Sequence, residues 1–139
     1  MTNRIQELTV DKTWRNEQDA WNNRSNYFVE MHNRDDRKAQ VTEFLSFLKD
    51  ENLLPPKGGC TLDIGCGVCD YALGLAHEGH KATGIDLSDG MIRGAKQLAE
   101  AEGLDLSLYI APWSDETRRE LKWDKTFDLT YSIFLNFLI

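Results

Sequence analysis

The sequence has no long hydrophobic run, no excess of basic residues and few cysteines. Because no stretch of about 18 apolar residues occurs, no membrane-spanning helix is predicted. The N-terminal MTNRIQELTVDK lacks the apolar core of a secretory signal peptide. The 23 acidic and 16 basic side chains give a formal net charge of −7, which disfavours binding to the phosphates of nucleic acids. Three cysteines without the spacing of a disulfide framework predict a reducing, cytoplasmic setting.

The N-terminal part of the 139-residue chain has the pattern of helices. Trp14, Trp21 and Phe28 recur every seven residues, which predicts one face of a helix or of two short helices. These aromatic side chains are expected to pack in a core rather than to contact a ligand. A further amphipathic helix is predicted over residues 36–50, and LLPPKGG ends it. We therefore expect one domain with a helical cap segment over residues 1–57 and a second segment over residues 58–139.

From residue 60 onward, strand patterns alternate with helix patterns. Strands are predicted over residues 60–64, 81–86, 105–110 and 127–133, and helices over residues 68–78, 89–102 and 115–121. Ser88 is a predicted N-cap, and Gly79 and Gly103 stand where helices end. The alternation predicts an α/β fold, with about four parallel strands in an open sheet, helices on its faces and the helical segment before it.

The stretch TLDIGCGVCDYALGLA, residues 61–76, predicts a strand that meets a helix through a glycine-rich turn. Free backbone N–H groups and the helix dipole at such a turn favour a polar or negatively charged ligand. Gly65 and Gly67 would let that ligand approach the backbone closely. Asp86 ends the next strand, where a carboxylate can accept the hydroxyls of a ribose. The combination predicts a nucleoside or nucleotide site at the carboxyl ends of the strands.

The residue three positions after Gly67 distinguishes between two classes of nucleotide. Dinucleotide-binding loops have a glycine there, whereas this chain has Asp70, whose charge repels a pyrophosphate. This substitution disfavours a nicotinamide or flavin dinucleotide. A sulfonium nucleoside carries no phosphate and tolerates nearby acids, and Asp63 is positioned to steer an amino group of such a ligand.

The motifs LDIGCG and GIDLSDGMI resemble motif I and the acidic motif that follows it in class I S-adenosylmethionine-dependent methyltransferases. FDLTYS is similar to the fourth strand of that family, and WNNRSNYF to the helical segment that caps its cofactor pocket. The resemblance covers about residues 14–133 and implies a Rossmann-like fold with S-adenosyl-L-methionine as cofactor. Because the sheet of that family has more strands, we expect this chain to be truncated at its C-terminus.

The resemblance also implies a set of cofactor-binding residues: Arg24, Tyr27, Asp63, Gly65, Cys66, Gly67, Asp86, Leu87, Met91 and Trp113. In the family the glycine loop lines the methionine part of the cofactor, and the acid after the second strand holds the ribose hydroxyls. Leu87, Met91 and Trp113 correspond to positions that pack on the adenine. Arg24 and Tyr27 are expected to reach the cofactor carboxylate.

Cys66 and Cys69 also allow other interpretations. A C-x-x-C pair between a strand and a helix is typical of thiol-disulfide oxidoreductases, in which the helix dipole lowers a thiol pKa. A zinc site would need this pair together with His77 and His80, but the gap to His77 is shorter than in common zinc fingers. The simplest interpretation is that both cysteines are small turn and helix residues, and no metal is expected.

The expected function is methyl transfer to a small-molecule substrate, without nucleic acid or membrane as partner. Methyl transfer from a sulfonium needs mainly positioning, and no general base or other catalytic residue is assigned. The alternative is a truncated or non-catalytic fragment that only binds the cofactor. The apolar C-terminal YSIFLNFLI, which includes Phe134 and Phe137, predicts self-association through an unpaired strand edge.

Overall fold

The computed structural model describes residues 3–8, 14–124 and 126–133. Within these residues the chain forms five strands and six helices. In chain order they are β1 (Arg4–Glu7), α1 (Arg15–Asn22), α2 (Ser25–His32), α3 (Asp35–Asp50), β2 (Cys60–Ile64), α4 (Asp70–His77), β3 (Lys81–Asp86), α5 (Asp89–Glu102), β4 (Leu106–Ile110), α6 (Asp115–Leu121) and β5 (Leu129–Tyr131). The strands form one parallel sheet in the order β1-β4-β3-β2-β5, which confirms the predicted Rossmann-like α/β fold.

The strand β1 was not expected, because the sequence predicted only helices in the N-terminal segment and about four strands in all. The four residues of β1 pair in parallel with Ser107–Ile110 of β4 at one edge of the sheet. Asn3 fixes this pairing, since its side-chain amide donates to Leu104 O at 3.1 Å and its Oδ1 accepts from Leu106 N at 2.7 Å. Ile5 is the one apolar residue of β1, so the strand has no alternating pattern to reveal it.

The helix predictions from residue 14 onward are mostly confirmed. The aromatic repeat belongs to two short helices, α1 and α2, and α5 and α6 have the predicted bounds. Helix α4 begins at Asp70 rather than at residue 68, because Cys69 has a left-handed φ of 67° and cannot continue a helix. Ser88 caps α5 by accepting a hydrogen bond from Met91 N, and Gly103 ends that helix with a φ of 67°.

Hydrophobic side chains are buried on both faces of the sheet. On one face, α4 and α5 pack against side chains of β3 and β4, with Leu73, Ile92 and Leu108 almost fully buried. On the other face, Leu62 and Ile85 pack near α6. Because both faces are covered, the loops at the carboxyl ends of the strands are where a ligand can reach the sheet.

The N-terminal helices pack on the helices of the sheet, α2 on α5 and α3 on α4. The boundary between residues 57 and 58 stays a prediction. The predicted last strand, residues 127–133, is found only in part, because β5 spans Leu129–Tyr131. Phe134 and Phe137, on which the predicted self-association depends, lie outside the described residues. No helix within the described ranges is long and apolar enough to cross a membrane.

Candidate functional site

A cleft of about 840 Å³ opens at the carboxyl ends of the strands. Residues that follow β2, β3, β4 and β5 form its floor, and side chains of α1, α2 and α3 contribute to its walls. Most of the residues that the sequence predicted for the cofactor line it: Asp63, Gly65, Cys66, Gly67, Asp86, Leu87, Met91 and Trp113. The topology therefore brings together residues that are as many as 50 positions apart in the chain.

The structure does not bring Arg24 and Tyr27 into this cleft. The Arg24 guanidinium lies 5.2 Å from the centre of the Trp21 ring and donates to Ala20 O at 3.2 Å. Tyr27 is 57% exposed and packs edge-on against Phe28. Both side chains are on the outer side of α1 and α2, because the inward side of these helices is occupied by Trp21 and Phe28.

Arg37 and Tyr71 line the cleft instead, and sequence reasoning missed both. Arg37 is in the first turns of α3, and its side chain is only 9% exposed. The amphipathic pattern of α3 indicated which residues pack but gave no sign that this arginine turns inward. Arg37 Nη1 donates to Asp70 Oδ2 at 3.1 Å, so the guanidinium is held at the cleft by an acid of α4.

The glycine loop after β2 uses several of its own backbone donors. The N–H groups of Gly65 and Cys66 both donate to Ile85 O, at 2.9 and 3.0 Å. The N–H of Gly67 donates to Asp86 Oδ2 at 2.9 Å. The expectation that these groups are free for a ligand is therefore wrong for these three residues. A ligand in the cleft can approach the backbone of Gly67 closely, because this residue has a φ of 58° and a Cβ there would meet no atom within 4 Å. With these three N–H groups already bonded, the loop does not form a phosphate-binding site.

Asp86 ties the loop after β2 to the turn after β3. Its Oδ2 accepts from Gly67 N and its Oδ1 accepts from Ser88 N, each at 2.9 Å. Burial raises the pKa of Asp86, and the two N–H donors partly offset that rise. Each carboxylate oxygen has a further lone pair, so the residue can serve the loop and still accept from a ligand in the cleft.

Asp63 is the most deeply buried acid of the cleft. Its side chain is 2% exposed, and its Oδ2 has no hydrogen-bond partner among the described residues. Burial raises the pKa of Asp63 well above its usual value, the charge of Asp86 adds to the rise, and Tyr131 opposes it. A buried, unsatisfied oxygen is costly, which makes this atom a ready acceptor for a cationic donor entering the cleft.

The charged lining of the cleft is mostly acidic. It includes Glu17, Asp63, Asp70 and Asp86, and Arg37 is the basic side chain among the described lining residues. The positive charge of Arg37 is already paired with Asp70. A cleft with this balance repels phosphates and attracts cationic groups.

Aromatic and aliphatic side chains form the remaining walls. Trp14, Trp21 and Phe28 line the cleft from the N-terminal helices, and the last two also pack on the core. Trp21 and Phe28 therefore pack in the core, as predicted, and also face the cleft. Met91 is buried on the side of α5, while Trp113 remains 42% exposed and leaves part of its ring surface accessible.

Comparison with known proteins decides the family of this chain. A family model described as methyltransferase domain matches residues 61–139. The chain belongs to this methyltransferase family.

Three proteins illustrate the similarity of this methyltransferase domain to known ones. A Geobacillus sp. (strain WCH70) protein named as a methyltransferase is 36% identical over 81 residues, which are 56% of this chain and 30% of that protein. A structure solved for the conversion of a disulfide bond into a thioacetal group during echinomycin biosynthesis has 34% identity and a TM-score of 0.55, over 65% of this chain and 36% of that chain. The structure of magnesium protoporphyrin IX methyltransferase (ChlM) from Synechocystis PCC 6803, solved with bound SAM, has 25% identity and a TM-score of 0.50, over 76% of this chain and 56% of that chain. The methyltransferase domain described here therefore spans about a third to a half of the length of these proteins.

Two side chains of α1 fix the N-terminal helices of the methyltransferase domain to the acidic loop after β3. Gln18 Nε2 donates to Leu87 O at 3.1 Å. Asn22 Nδ2 donates to Asp89 Oδ1 at 2.6 Å, and Asn22 Oδ1 accepts from Gly90 N at 2.9 Å. The sequence indicated helices in this segment and a resemblance to the family's cap, but it did not indicate these polar contacts. Its polar contacts hold α1 where it covers the cleft.

The two cysteines of the methyltransferase loop are in the environment of structural thiols. Cys66 and Cys69 are 8% and 0% exposed, and burial raises the pKa of both thiols. A redox-active thiol has a lowered pKa, so this geometry does not favour the oxidoreductase hypothesis. His77, which the zinc hypothesis required, bonds Glu102 at 2.7 Å, and in the part of the chain that the structure describes no three potential ligands form a metal-binding group.

Proposed function

We propose that this domain binds S-adenosylmethionine in the cleft and that the protein transfers the methyl group to a small molecule. The observation that carries the proposal is the acidic lining of the cleft, with Asp63 Oδ2 buried and unpartnered. S-adenosylmethionine has a sulfonium and an ammonium group and no phosphate, so its charges complement this lining. A dinucleotide would bring two phosphates against the same acids and would find the loop donors already used.

The residues present fit the chemical groups of that cofactor. Asp63 Oδ2 is available to accept from the ammonium group. Arg37 lines the same cleft, where its guanidinium, which also bonds Asp70, is the positive group that suits the carboxylate. Asp86 is positioned to accept the ribose hydroxyls. Leu87 and Trp113 offer apolar surface for the adenine, and Met91 lies behind them in the core.

When bound, S-adenosylmethionine supplies a methyl group on a positively charged sulfur, which is already activated for transfer. The residues of this chain contribute binding and orientation, because bringing two reactants together in the right geometry accounts for a large part of such an acceleration. Asp63, Asp70 and Asp86 favour a cationic ligand in the cleft, and the aromatic side chains of α1 and α2 restrict its contact with water. No residue is assigned as a general base.

The proposal of a small-molecule acceptor is supported by the charge of the chain. A net charge of −7 works against the phosphate backbone of a nucleic acid, which usually dominates affinity in protein–nucleic acid complexes. The acidic side chains of the cleft also repel the phosphates of a nucleic acid.

A second candidate is a domain that binds the cofactor but does not turn it over without further polypeptide. The observation that favours it is the coverage: the chain spans 30% of the Geobacillus relative, so most of that relative's length has no counterpart here. This candidate shares the cofactor site and differs only in catalysis.

Transfer of a labelled methyl group distinguishes these candidates. The protein is incubated with methyl-tritiated S-adenosylmethionine and a cell extract depleted of macromolecules, or with RNA or protein fractions. Label in the small-molecule fraction that is strongly reduced with Asp86→Ala at a low cofactor concentration would support the proposal. Label in RNA instead would contradict the small-molecule assignment. Binding of the cofactor without transfer to any fraction would favour the second candidate.

A further inference from the structure

A row of charged side chains leads from the surface of the domain to the cleft. His32, the last residue of α2, is 8% exposed and lies between two acids. Its Nδ1 is 2.7 Å from Asp70 Oδ1, and its Nε2 is 2.8 Å from Glu102 Oε2. A neutral imidazole has a single N–H and can donate to one acceptor, whereas an imidazolium donates to two. Two carboxylates on the two ring nitrogens therefore fit a positively charged His32.

Asp70 is shared between His32 and the cleft. Its Oδ1 bonds His32, and its Oδ2 accepts from Arg37 Nη1 at 3.1 Å. Asp70 and Arg37 both line the cleft, whereas His32 is not among the lining residues. The electrostatic effect of Asp70 on Arg37 therefore depends on a histidine that no ligand in the cleft needs to touch.

We propose that His32 is a positioning residue that sets the affinity of Arg37 for a carboxylate in the cleft by offsetting the negative charge of Asp70. The inference rests on the proposed function, since the carboxylate in question is that of S-adenosylmethionine. Charged His32 and Arg37 together balance Asp70 and Glu102. When His32 loses its proton, the same group of four side chains carries one net negative charge beside the cleft, and Arg37 attracts an anion less strongly.

The charged groups that face His32 come from three helices. Helix α3 contributes Arg37, α4 contributes Asp70, and α5 contributes Glu102, whose Oε1 also bonds His77 of α4 at 2.7 Å. The hydrogen bond with Asp70 raises the pKa of His32, burial opposes the rise, and Glu102 adds to it. Burial acts to raise the pKa of Glu102, but the hydrogen bonds from His77 and His32 outweigh it and lower that pKa. The pKa of His32 is therefore raised above its usual value near 6.5, so the imidazolium persists to a higher pH than in an ordinary histidine.

The test compares two ligands that differ only in the carboxylate. S-adenosylhomocysteine carries it, and its decarboxylated analogue keeps the amine, the thioether and the adenosine. Calorimetry gives the dissociation constants of both ligands between about pH 6 and about pH 8, where the amines of both ligands remain protonated. Their ratio then isolates the carboxylate, because the proposed contact of the amine with Asp63 is the same for both ligands. The preference for S-adenosylhomocysteine should fall roughly three- to tenfold as pH rises in the parent protein.

His32→Gln should remove this pH dependence and leave the preference low throughout. Glu102→Gln keeps His32 but removes one of the two carboxylates that bond it, so the preference for S-adenosylhomocysteine should fall at a lower pH. This variant also provides the test if His32→Gln does not fold. His77→Gln is the matched control, because this half-exposed histidine does not contact Asp70, and the fall should persist.

Two outcomes separate failure of this inference from failure of the proposed function. If S-adenosylhomocysteine binds but the ratio does not change with pH, or changes equally in His32→Gln, the role of His32 is overturned and the cofactor site stands. If neither ligand binds at any pH, the proposed function is overturned, and the inference falls with it.

Discussion

Asp86 joins two loops and faces the cleft, and its two roles can be separated by substitution. Asp86→Ala should weaken S-adenosylhomocysteine binding by about 1.5–3 kcal/mol, because it removes an acceptor with charge-assisted hydrogen bonds. Asp86→Asn retains one side-chain oxygen for the N–H of Gly67 or Ser88 and should preserve more of the loop. Calorimetry gives the affinities, and thermal unfolding reports on the fold. Parent-like binding by both variants would mean that Asp86 only supports the loops.

Asp63 makes binding of an amine depend on pH. Burial holds the pKa of the Asp63 carboxyl well above its ordinary value near 4, so in the free protein this carboxyl takes up a proton at a higher pH than an ordinary aspartate does. An ammonium group in the cleft favours the ionised form of Asp63, so its binding should release a proton. The affinity for the amine should therefore rise as the pH increases toward the pKa that Asp63 has in the free protein.

Calorimetry in two buffers of different ionisation enthalpy measures this proton release. The decarboxylated analogue of S-adenosylhomocysteine is the preferred ligand, since it has no carboxylate for Arg37 to attract. Asp63→Asn should abolish the release. Equal heats in both buffers for the parent protein at every pH tested from about 5 to about 8 would show that Asp63 does not face the amine.

At the level of single residues, the sequence revealed those whose local motif carries their chemistry. Asp63, the glycines and Asp86 are in a strand–turn–helix pattern that fixes where they lie relative to the sheet. Arg24 and Arg37 had no such motif. Which of the two points into the cleft depends on how the N-terminal helices cross α4 and α5, and that crossing is a tertiary contact with no local signal.

At the level of elements, the contact of α2 with α5 depends on a residue without a side chain. A Cβ at Gly94 would lie 2.7 Å from Val29 Cγ2 and 3.2 Å from Val68 Cγ1. Gly94→Ala should therefore displace α2 and lower the free energy of unfolding by roughly 1–3 kcal/mol, the range for overpacked cores.

Urea unfolding measures that loss, and weaker S-adenosylhomocysteine binding should accompany it because α2 helps to cover the cleft. Arg93→Ala on the exposed side of the same helix is the control and should change little. A Gly94→Ala variant as stable as the parent would show that α2 and α5 can separate without cost.

The helices and strands differ in how clearly the sequence predicts them. Ser88 and Gly103 mark both ends of α5, and the predicted bounds agree with the structure. Strand β1 had no comparable signal, since it is short, polar and paired along one edge only. Its position comes from the clamp of Asn3 on Leu104 and Leu106, about 100 residues away in the chain. Contacts over such separations are not visible in a local pattern.

At the scale of the whole molecule, an acidic cleft matches a cationic, phosphate-free nucleoside in charge. The parallel sheet brings the ends of four strands to one edge, the acids of β2, α4 and β3 meet there, and the N-terminal helices cover them. The sequence indicated this location from the order of strands and glycines. It did not indicate that Arg37 and His32 would share Asp70 beside it.

Paired calorimetric titrations with S-adenosylhomocysteine and with NAD, at equal ionic strength near neutral pH, test this central claim most directly. We expect one molecule of S-adenosylhomocysteine to bind per chain, and no detectable binding of NAD. Its pyrophosphate would lie against Asp63, Asp70 and Asp86, and the N–H groups of the glycine loop are already bonded within the protein. Binding of NAD in the absence of S-adenosylhomocysteine binding would contradict the account.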